Sequence, residues 1–199
     1  VWRQRLINAY PKYGNDIDEV DMLGRHFLEH YGHEVEKYTN PRGGHFQPGS
    51  YTVSAHIPLG EKCGATPDGR FAHEQLADGG LSPMAGRDTN GPTASLKSVS
   101  KLKNVLDSNG SLLNVKFSPA ALAGESGLTK LEAFLKAFSR LGIQHVQFNV
   151  VDKKTLLDAQ IHPENHKDLI VRVAGYSAMF VELSKAVQDD IISRTEHVL

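Results

Sequence analysis

Cysteines, excess positive charge and long apolar runs are all scarce in this sequence. Cys63 is the only cysteine, which excludes an intrachain disulfide and suits a reducing cytoplasm. Lysine and arginine number 22 against 23 acidic residues, for a formal net charge of -1, so we expect no basic surface for nucleic acid. No run approaches the ~20 apolar residues that span a bilayer. These scarcities predict a soluble, cytoplasmic protein that binds neither nucleic acid nor membrane.

The chain divides by sequence character into a helical segment, residues 1–38, and a longer portion, residues 39–199. The sequence opens VWRQRLINAYPKYG, without methionine and within an amphipathic pattern, which favours a cut inside a longer protein over processing of the terminus. Apolar residues at helical spacing predict a helix over 17–38. Glycine and proline are dense over 39–95, which predicts long ordered loops around one short strand, SYTVSAHI (50–57). Loops of this length are commonly functional.

Strands and helices alternate through the last third of the chain, which is typical of an α/β layered fold. The predicted elements are, in chain order, the strand LLNVKF (112–117), the helix LTKLEAFLKAFSRLG (128–142), the strand HVQFNVV (145–151), the helix KKTLLDAQIH (153–162), the strand LIVRVA (169–174) and the helix LSKAVQDDIISRTEHV (183–198). The second and third strands are apolar almost throughout, as expected for strands buried on both faces. We predict one structural unit.

The sequence contains two further candidate functional sites, a group of three histidines and the single cysteine, and each also has an ordinary structural interpretation. His26, His30 and His33 share one helical face at a spacing that a metal site can use. Glutamates lie among them and favour a solvated polar face, so no metal is predicted. Cys63 lacks a neighbouring base and is interpreted as a small buried hydrophobe rather than a nucleophile. Dinucleotide-binding, Walker and serine-elbow motifs are missing from the sequence.

The segment VRVAGYSAMF (171–180) places Gly175 between an apolar strand and a segment that we predict to be helical. A turn explains most such glycines, because glycine adopts a positive φ easily. The sequence IVRVAGYSA (170–178), however, resembles the C-terminal signature of the glycyl radical enzymes. Four further blocks resemble the same family, namely GATPDGR (64–70), LADGGLSPMAGRDTNGPTASLKSVSKL (76–102), HVQFNVVD (145–152) and QDDIISRTEHV (188–198). The likeness covers most of residues 39–199 and points to the branch of glycerol and 1,2-propanediol dehydratases and choline lyase.

The resemblance implies that Gly175 stores an organic radical as a post-translational modification. Removing a hydrogen atom from a glycine Cα leaves a planar radical, delocalised over the flanking amide nitrogen and carbonyl. A Cβ would crowd that planar centre, so only glycine serves well. Arg172, Tyr176 and Ser177 match the family motif around it.

A fold, a partner and a location are also implied by the resemblance. The fold is the C-terminal part of a ten-stranded barrel with surrounding helices and a glycine loop at about 172–180. The strand that carries Tyr51 and Val53 forms one wall of the substrate pocket, although Tyr51 as an ordinary core aromatic is equally compatible. An activating enzyme using S-adenosylmethionine and an iron–sulfur cluster makes the radical, so the chain itself binds no cofactor. We expect a homodimer at full length, in an anaerobic cytoplasm or a microcompartment within it.

The element Gly-Cys-x-Glu, which supplies the family's thiyl cysteine, is missing from this sequence, and Cys63 is not flanked like that residue. We therefore expect the radical-bearing part of a longer enzyme, and predict a dehydratase that eliminates water from glycerol or 1,2-propanediol. Three alternatives stay open. They are another glycyl radical lyase, decarboxylase or formate C-acetyltransferase (pyruvate formate-lyase); a stand-alone glycyl radical subunit that docks into a damaged enzyme; and a binding module in which Gly175 is an ordinary turn residue.

Overall fold

The computed structural model describes residues 1–198 and leaves only Leu199, the last residue of the predicted second portion, outside the described residues. The helices are α1 (Trp2–Ala9), α2 (Asp18–Glu36), α3 (His56–Glu61), α4 (Pro92–Ser100), α5 (Gly124–Arg140), α6 (Lys153–Ile161) and α7 (Lys185–Ser193). The strands are β1 (Asn114–Phe117), β2 (Gln147–Val150), β3 (Ile170–Arg172), β4 (Ser177–Met179) and β5 (Glu196–His197). Within residues 1–198, no helix is both long and apolar enough to cross a bilayer.

A small parallel sheet lies at the centre of the last third, with β1 between β2 and β5. Asn114 is opposite Gln147 in the register of β1 and β2, and Lys116 is opposite Glu196 in the register of β1 and β5. Helix α5 makes the crossover between β1 and β2, since parallel neighbours need such a connection. The predicted α/β alternation is confirmed in this region. Strands β3 and β4 form a separate antiparallel hairpin.

Aromatic side chains dominate the core between the sheet and α5. The Phe117 ring meets Phe134 edge-on at 5.5 Å and stacks on Phe148 at 5.8 Å between centroids. Leu96 and Val99 of α4 are completely buried in the same cluster. This burial places α4 and α5 over the sheet and fixes the position of β2.

A second apolar cluster joins the hairpin to the last two helices. Val171, Val173 and Phe180 of the hairpin region pack with Leu156 of α6 and Ile191 of α7, and all five are at most 1% exposed. The hairpin is therefore fixed at its base by burial on helices that precede and follow it in sequence.

The strand predicted over SYTVSAHI is wrong. Ser50 makes one isolated bridge with Ser111, after which a turn is closed by the Ala55 N–H donating to the Thr52 carbonyl at 2.8 Å, and α3 begins at His56. Val53 has a φ of +56°, and the side chains of Tyr51 and Val53 are about half exposed. No apolar face is buried there, so nothing favours an extended chain and the predicted shared face of these residues does not form.

Four other expectations need correction. The segment after Gly175 is strand β4 and not a helix, and the closing helix ends at Ser193, after which residues 196–197 join the sheet as β5. The loops predicted to continue to residue 95 end earlier, because Pro92 begins α4 as a favoured first helical residue. Val150 and Ile170 are 51% and 61% exposed, so β2 and β3 are not buried on both faces in this chain.

Candidate functional site

Gly175 lies at the tip of the β3–β4 hairpin. Arg172 pairs with Ser177, and the Val173 N–H donates to the Tyr176 carbonyl at 2.9 Å, leaving Ala174 and Gly175 as the two loop residues. The φ of Gly175 is +84°, a conformation that glycine adopts without strain. A Cβ there would meet only the Leu112 Cδ1 atom, at 3.8 Å. Backbone conformation rather than lack of space therefore demands glycine at this position.

One side-chain oxygen of β2 holds the loop. The Oε1 atom of Gln147 accepts from the Gly175 N–H at 3.0 Å and from the Arg172 Nε–H at 2.9 Å. The Gln147 side-chain amide donates in turn to the Asn114 side-chain oxygen, and Asn114 Nδ2 donates to the Asp78 carbonyl at 3.2 Å. Gln147 is 6% exposed, so these bonds form away from bulk water.

The next inward-facing residue of β2 holds the strand below the loop. Asn149 Oδ1 accepts from the Arg172 backbone N–H, and Asn149 Nδ2 donates to the Arg172 carbonyl, both at 2.7 Å. The side-chain amide thus bonds both backbone groups of one residue, as a neighbouring strand would. The hairpin is thereby attached to the edge of the parallel sheet.

A buried ion cluster holds the other side of the loop. Arg194, directly after α7, donates through Nη1 to the Val173 carbonyl at 2.8 Å. Its guanidinium forms salt bridges of 2.7 Å with both Asp78 and Asp190. His56 Nε2 lies 3.2 Å from the Asp190 carboxylate, without the alignment of a hydrogen bond. These contacts connect the hairpin to α3, α7 and the loop around Asp78.

The pKa values of the two acids in this cluster shift in opposite directions. Burial raises the pKa of Asp78, although Arg194 acts against it. Burial would also raise the pKa of Asp190, but its contact with His56 and the charge of Arg194 outweigh burial and lower that pKa. Asp190 is therefore the carboxylate that most firmly keeps its charge beside Arg194.

The structure brings four of the predicted site residues together. Arg172 and Ser177 flank Gly175, and the Arg172 Nη1 atom donates a hydrogen bond of 3.2 Å to the Ser177 Oγ atom. Tyr176 is half-buried against the second apolar cluster. Tyr51 lies elsewhere in the chain, where its hydroxyl accepts from Asn109 at 2.8 Å.

Tyr51 and Val53 come near this site only through their sequence neighbour Ser50. The Ser50 carbonyl accepts from the Leu112 N–H at 2.9 Å, and Leu112 is the side chain that faces Gly175.

The other reactive candidates lie outside this site. His26, His30 and His33 are all exposed on α2, and the described residues contain no group of three side chains suited to holding a metal ion. Cys63 is a half-buried free thiol.

Gln147, Asn149 and Arg194 were not singled out in the sequence, although the first two carried a signal. Together with His145 they are the alternate polar residues of the predicted strand HVQFNVV, whose other residues are apolar. A strand with that pattern presents polar groups on one face, and such groups need partners when buried.

Comparisons with known proteins cover nearly the whole chain. A family model described as "Glycine radical" matches residues 77–181, and one described as "Pyruvate formate lyase-like" matches residues 2–60. The "Probable dehydratase YbiW" of Escherichia coli (strain K12) is 49% identical over 99% of this chain, which covers 25% of that protein. Further curated relatives are named as dehydratases, a decarboxylase and sulfite-lyases.

Two solved structures match more closely in sequence. The glycerol-bound B12-independent glycerol dehydratase of Clostridium butyricum is 55% identical with a TM-score of 0.95, over 100% of this chain and 25% of that one. A structure concerned with 1,2-propanediol dehydration in Roseburia inulinivorans is 53% identical with a TM-score of 0.94, over 98% of this chain and 24% of that one. The chain thus spans about a quarter of the length of these relatives.

The family predicted from the sequence is confirmed by these matches. In this family the radical is a modification of a glycine residue and not a separate cofactor. The chain belongs to the glycyl radical enzymes, in the group related to pyruvate formate-lyase.

Proposed function

We propose that Gly175 carries the radical, and that this chain is the radical-bearing part of an enzyme that eliminates water from a small diol. The observation that supports a diol as the substrate is the 55% identity, at a TM-score of 0.95 over the whole chain, to a structure named as a glycerol dehydratase. The observation that carries Gly175 is its position at the tip of a hairpin whose sequence matches the family motif.

The geometry of the loop supports this role for Gly175. Its Cα is on a two-residue loop between two paired strands, and the residue is exposed in this chain. Loss of one hydrogen atom leaves a radical centre whose spin spreads over the adjoining amide nitrogen and carbonyl. Gln147 holds the Gly175 N–H itself, while Asn149 and Arg194 hold backbone groups of Arg172 and Val173, before the loop.

The remaining machinery comes from other parts of the full-length protein. The radical passes from Gly175 to a cysteine outside this chain, whose thiyl sulfur removes a hydrogen atom from a diol carbon. A neighbouring carboxylate takes the proton of the hydroxyl group on that carbon, and a neighbouring acid protonates the adjacent hydroxyl group, which leaves as water. The product radical then takes a hydrogen atom back from the cysteine, which restores the thiyl radical. In the whole enzyme this chain completes a ten-stranded barrel, with Tyr51 and Val53 at the substrate side, and the protein functions as a cytoplasmic homodimer activated by a radical S-adenosylmethionine enzyme.

One observation favours a catalytic enzyme over a stand-alone radical subunit. The match to the pyruvate formate lyase-like model lies over residues 2–60, upstream of the match to the glycine radical model. A subunit that only supplied a replacement glycine loop would need only the region that matches the glycine radical model, residues 77–181.

The radical assignment is tested by electron paramagnetic resonance (EPR) spectroscopy of the full-length protein, activated without oxygen. We expect a doublet, split by the one remaining α-hydrogen, that collapses when the protein contains α-deuterated glycine. Gly175→Ala abolishes the doublet. Gly142→Ala is the matched control, since Gly142 also has a positive φ, +67°, and open space for a Cβ. A doublet that survives Gly175→Ala contradicts the assignment.

The substrate class is tested by product analysis. The activated full-length enzyme is given glycerol, 1,2-propanediol, choline and pyruvate with coenzyme A in separate reactions. We expect an aldehyde and water from one or both diols. Turnover of choline or pyruvate alone contradicts the dehydratase proposal and leaves the radical assignment intact.

A further inference from the structure

We propose that Gln147 is a positioning residue that stabilises the radical through the amide nitrogen of Gly175, an inference that rests on Gly175 being the radical site. Its Oε1 atom lies 3.0 Å from the Gly175 nitrogen and accepts that N–H. The same oxygen accepts the Arg172 Nε–H at 2.9 Å. Asn149 and Arg194 hold backbone groups of neighbouring residues, whereas Gln147 holds an atom over which the radical itself spreads.

The orientation of the Gln147 amide is fixed by its partners. Two N–H groups point at Oε1, so a flipped amide would place a donor against two donors. On the other side, Asn114 presents its side-chain oxygen to Gln147, because its own NH₂ group is directed at the Asp78 carbonyl. The acceptor at Gly175 is therefore set by a chain of hydrogen bonds that begins at the backbone carbonyl of Asp78, the residue whose carboxylate binds Arg194.

This hydrogen bond differs between glycine and radical. The Cα radical draws electron density from the amide nitrogen, which makes the N–H a stronger donor. A donor with more positive charge forms a stronger bond to the same carbonyl oxygen. An interaction that is stronger in one state stabilises that state relative to the other, so Gln147 favours the radical over the reduced glycine. It also raises the spin density on the nitrogen of Gly175.

Two substitutions of Gln147 change the strength of the hydrogen-bond acceptor at Gly175 in opposite directions. Gln147→Met keeps the length of the side chain and removes the acceptor. Gln147→Glu keeps an oxygen for both donors and adds negative charge, which the Arg172 guanidinium favours. Asn149→Leu is the matched control, because it removes two bonds to the same hairpin and touches no group of Gly175.

The test is the ¹⁵N hyperfine coupling and the anaerobic half-life of the radical in the activated, ¹⁵N-glycine-labelled full-length protein. We expect Gln147→Met to lower the coupling and shorten the half-life about fivefold, the effect of one ordinary hydrogen bond. Gln147→Glu raises the coupling above that of the wild type. Asn149→Leu leaves the coupling unchanged, even where it lowers the melting temperature.

The possible failures are distinguishable. Coupling and half-life equal to wild type in Gln147→Met overturn the role of Gln147, and so does an equal shift of the coupling in Asn149→Leu. If Gln147→Met does not fold, an unchanged coupling in Gln147→Glu overturns it. A wild-type protein without a glycine doublet overturns the proposed function itself.

Discussion

Replacing Lys116 with methionine should make the protein more stable at neutral pH and less stable in alkali. Lys116 lies in the central strand β1 and is 2% exposed. Its ammonium group donates to the carbonyl oxygens of Ile191 and Ile192, at 3.4 and 3.3 Å, in the last turn of α7. A helix C-terminus favours a positive charge. Two carbonyl groups nevertheless compensate burial of an ammonium ion less well than a carboxylate does.

The size of the effect follows from the pKa. Burial lowers the pKa of Lys116 from 10.5 to about 8, with Glu196 and Asp78 acting to raise it and Arg194 and Lys153 to lower it. Below pH 8 the group is charged in both states, and the full penalty of burying the charge is present. Between about 8 and 10.5 the unfolded chain holds a proton that the folded chain has released, so stability rises with pH. The total rise is at most ~3 kcal/mol.

Methionine removes both this penalty and the two hydrogen bonds. Each bond contributes ~1 kcal/mol, so the variant gains less than the whole penalty at pH 7. Near pH 10 most of the penalty has gone from the wild type while the bonds remain, and the variant is the less stable protein. The order of the two melting temperatures should therefore reverse between pH 7 and 10.

The assay is thermal denaturation of the full-length protein at steps of half a pH unit between pH 7 and 10. Lys136→Met is the control, since the Lys136 side chain is 63% exposed, and its curve should run parallel to wild type. Parallel curves for Lys116→Met would refute the reasoning, because they would mean that Lys116 has the same pKa in both states.

Three further outcomes are expected. Gly175→Ala should keep the fold and lower stability by about 1–2 kcal/mol, the strain of a Cβ residue at positive φ, measured as a small fall in melting temperature; a collapse of the fold would contradict this. Arg194→Leu should destabilise by about 3–5 kcal/mol, because Asp78 and Asp190 are left buried without their cation; a melting temperature equal to wild type would exclude that role. Air should cut the activated protein beside Gly175, because the radical binds O₂, and mass spectrometry of the denatured sample should show a C-terminal fragment that begins near Tyr176; an intact mass from both activated and unactivated protein would disprove it.

The sequence predicted correctly those elements in which the apolar periodicity of the segment matches the face that is buried in the fold. The helix around Phe134 and the strand around Phe117 were placed within a few residues, because their apolar faces meet one another. The loop around Gly175 was identified through the family motif, and its glycine does take a positive φ, but the strand that makes the loop a hairpin was predicted as a helix.

The failures lie where long-range contacts decide the structure. The tail Glu196–His197 has no strand pattern of its own and becomes a strand because β1 offers an unpaired edge. SYTVSAHI alternates like a strand, yet Val53 takes a positive φ because neither face is buried in this chain. Arg194 was not recognised because its partners Asp78 and Asp190 are brought to it by folding alone.

The segment that follows Gly175 is bound to the rest of the molecule independently of the peptide bonds at Gly175. Residues 176–198 contribute a strand to each of the two sheets and bury Phe180 and Ile191 completely. His197 also pairs with Asp88 at 2.9 Å. A protein nicked by oxygen should therefore remain a single particle in native gel filtration. Its damage would be hidden until denaturation, and the severed piece would be exchangeable for an intact copy only after local unfolding of α7 and β5.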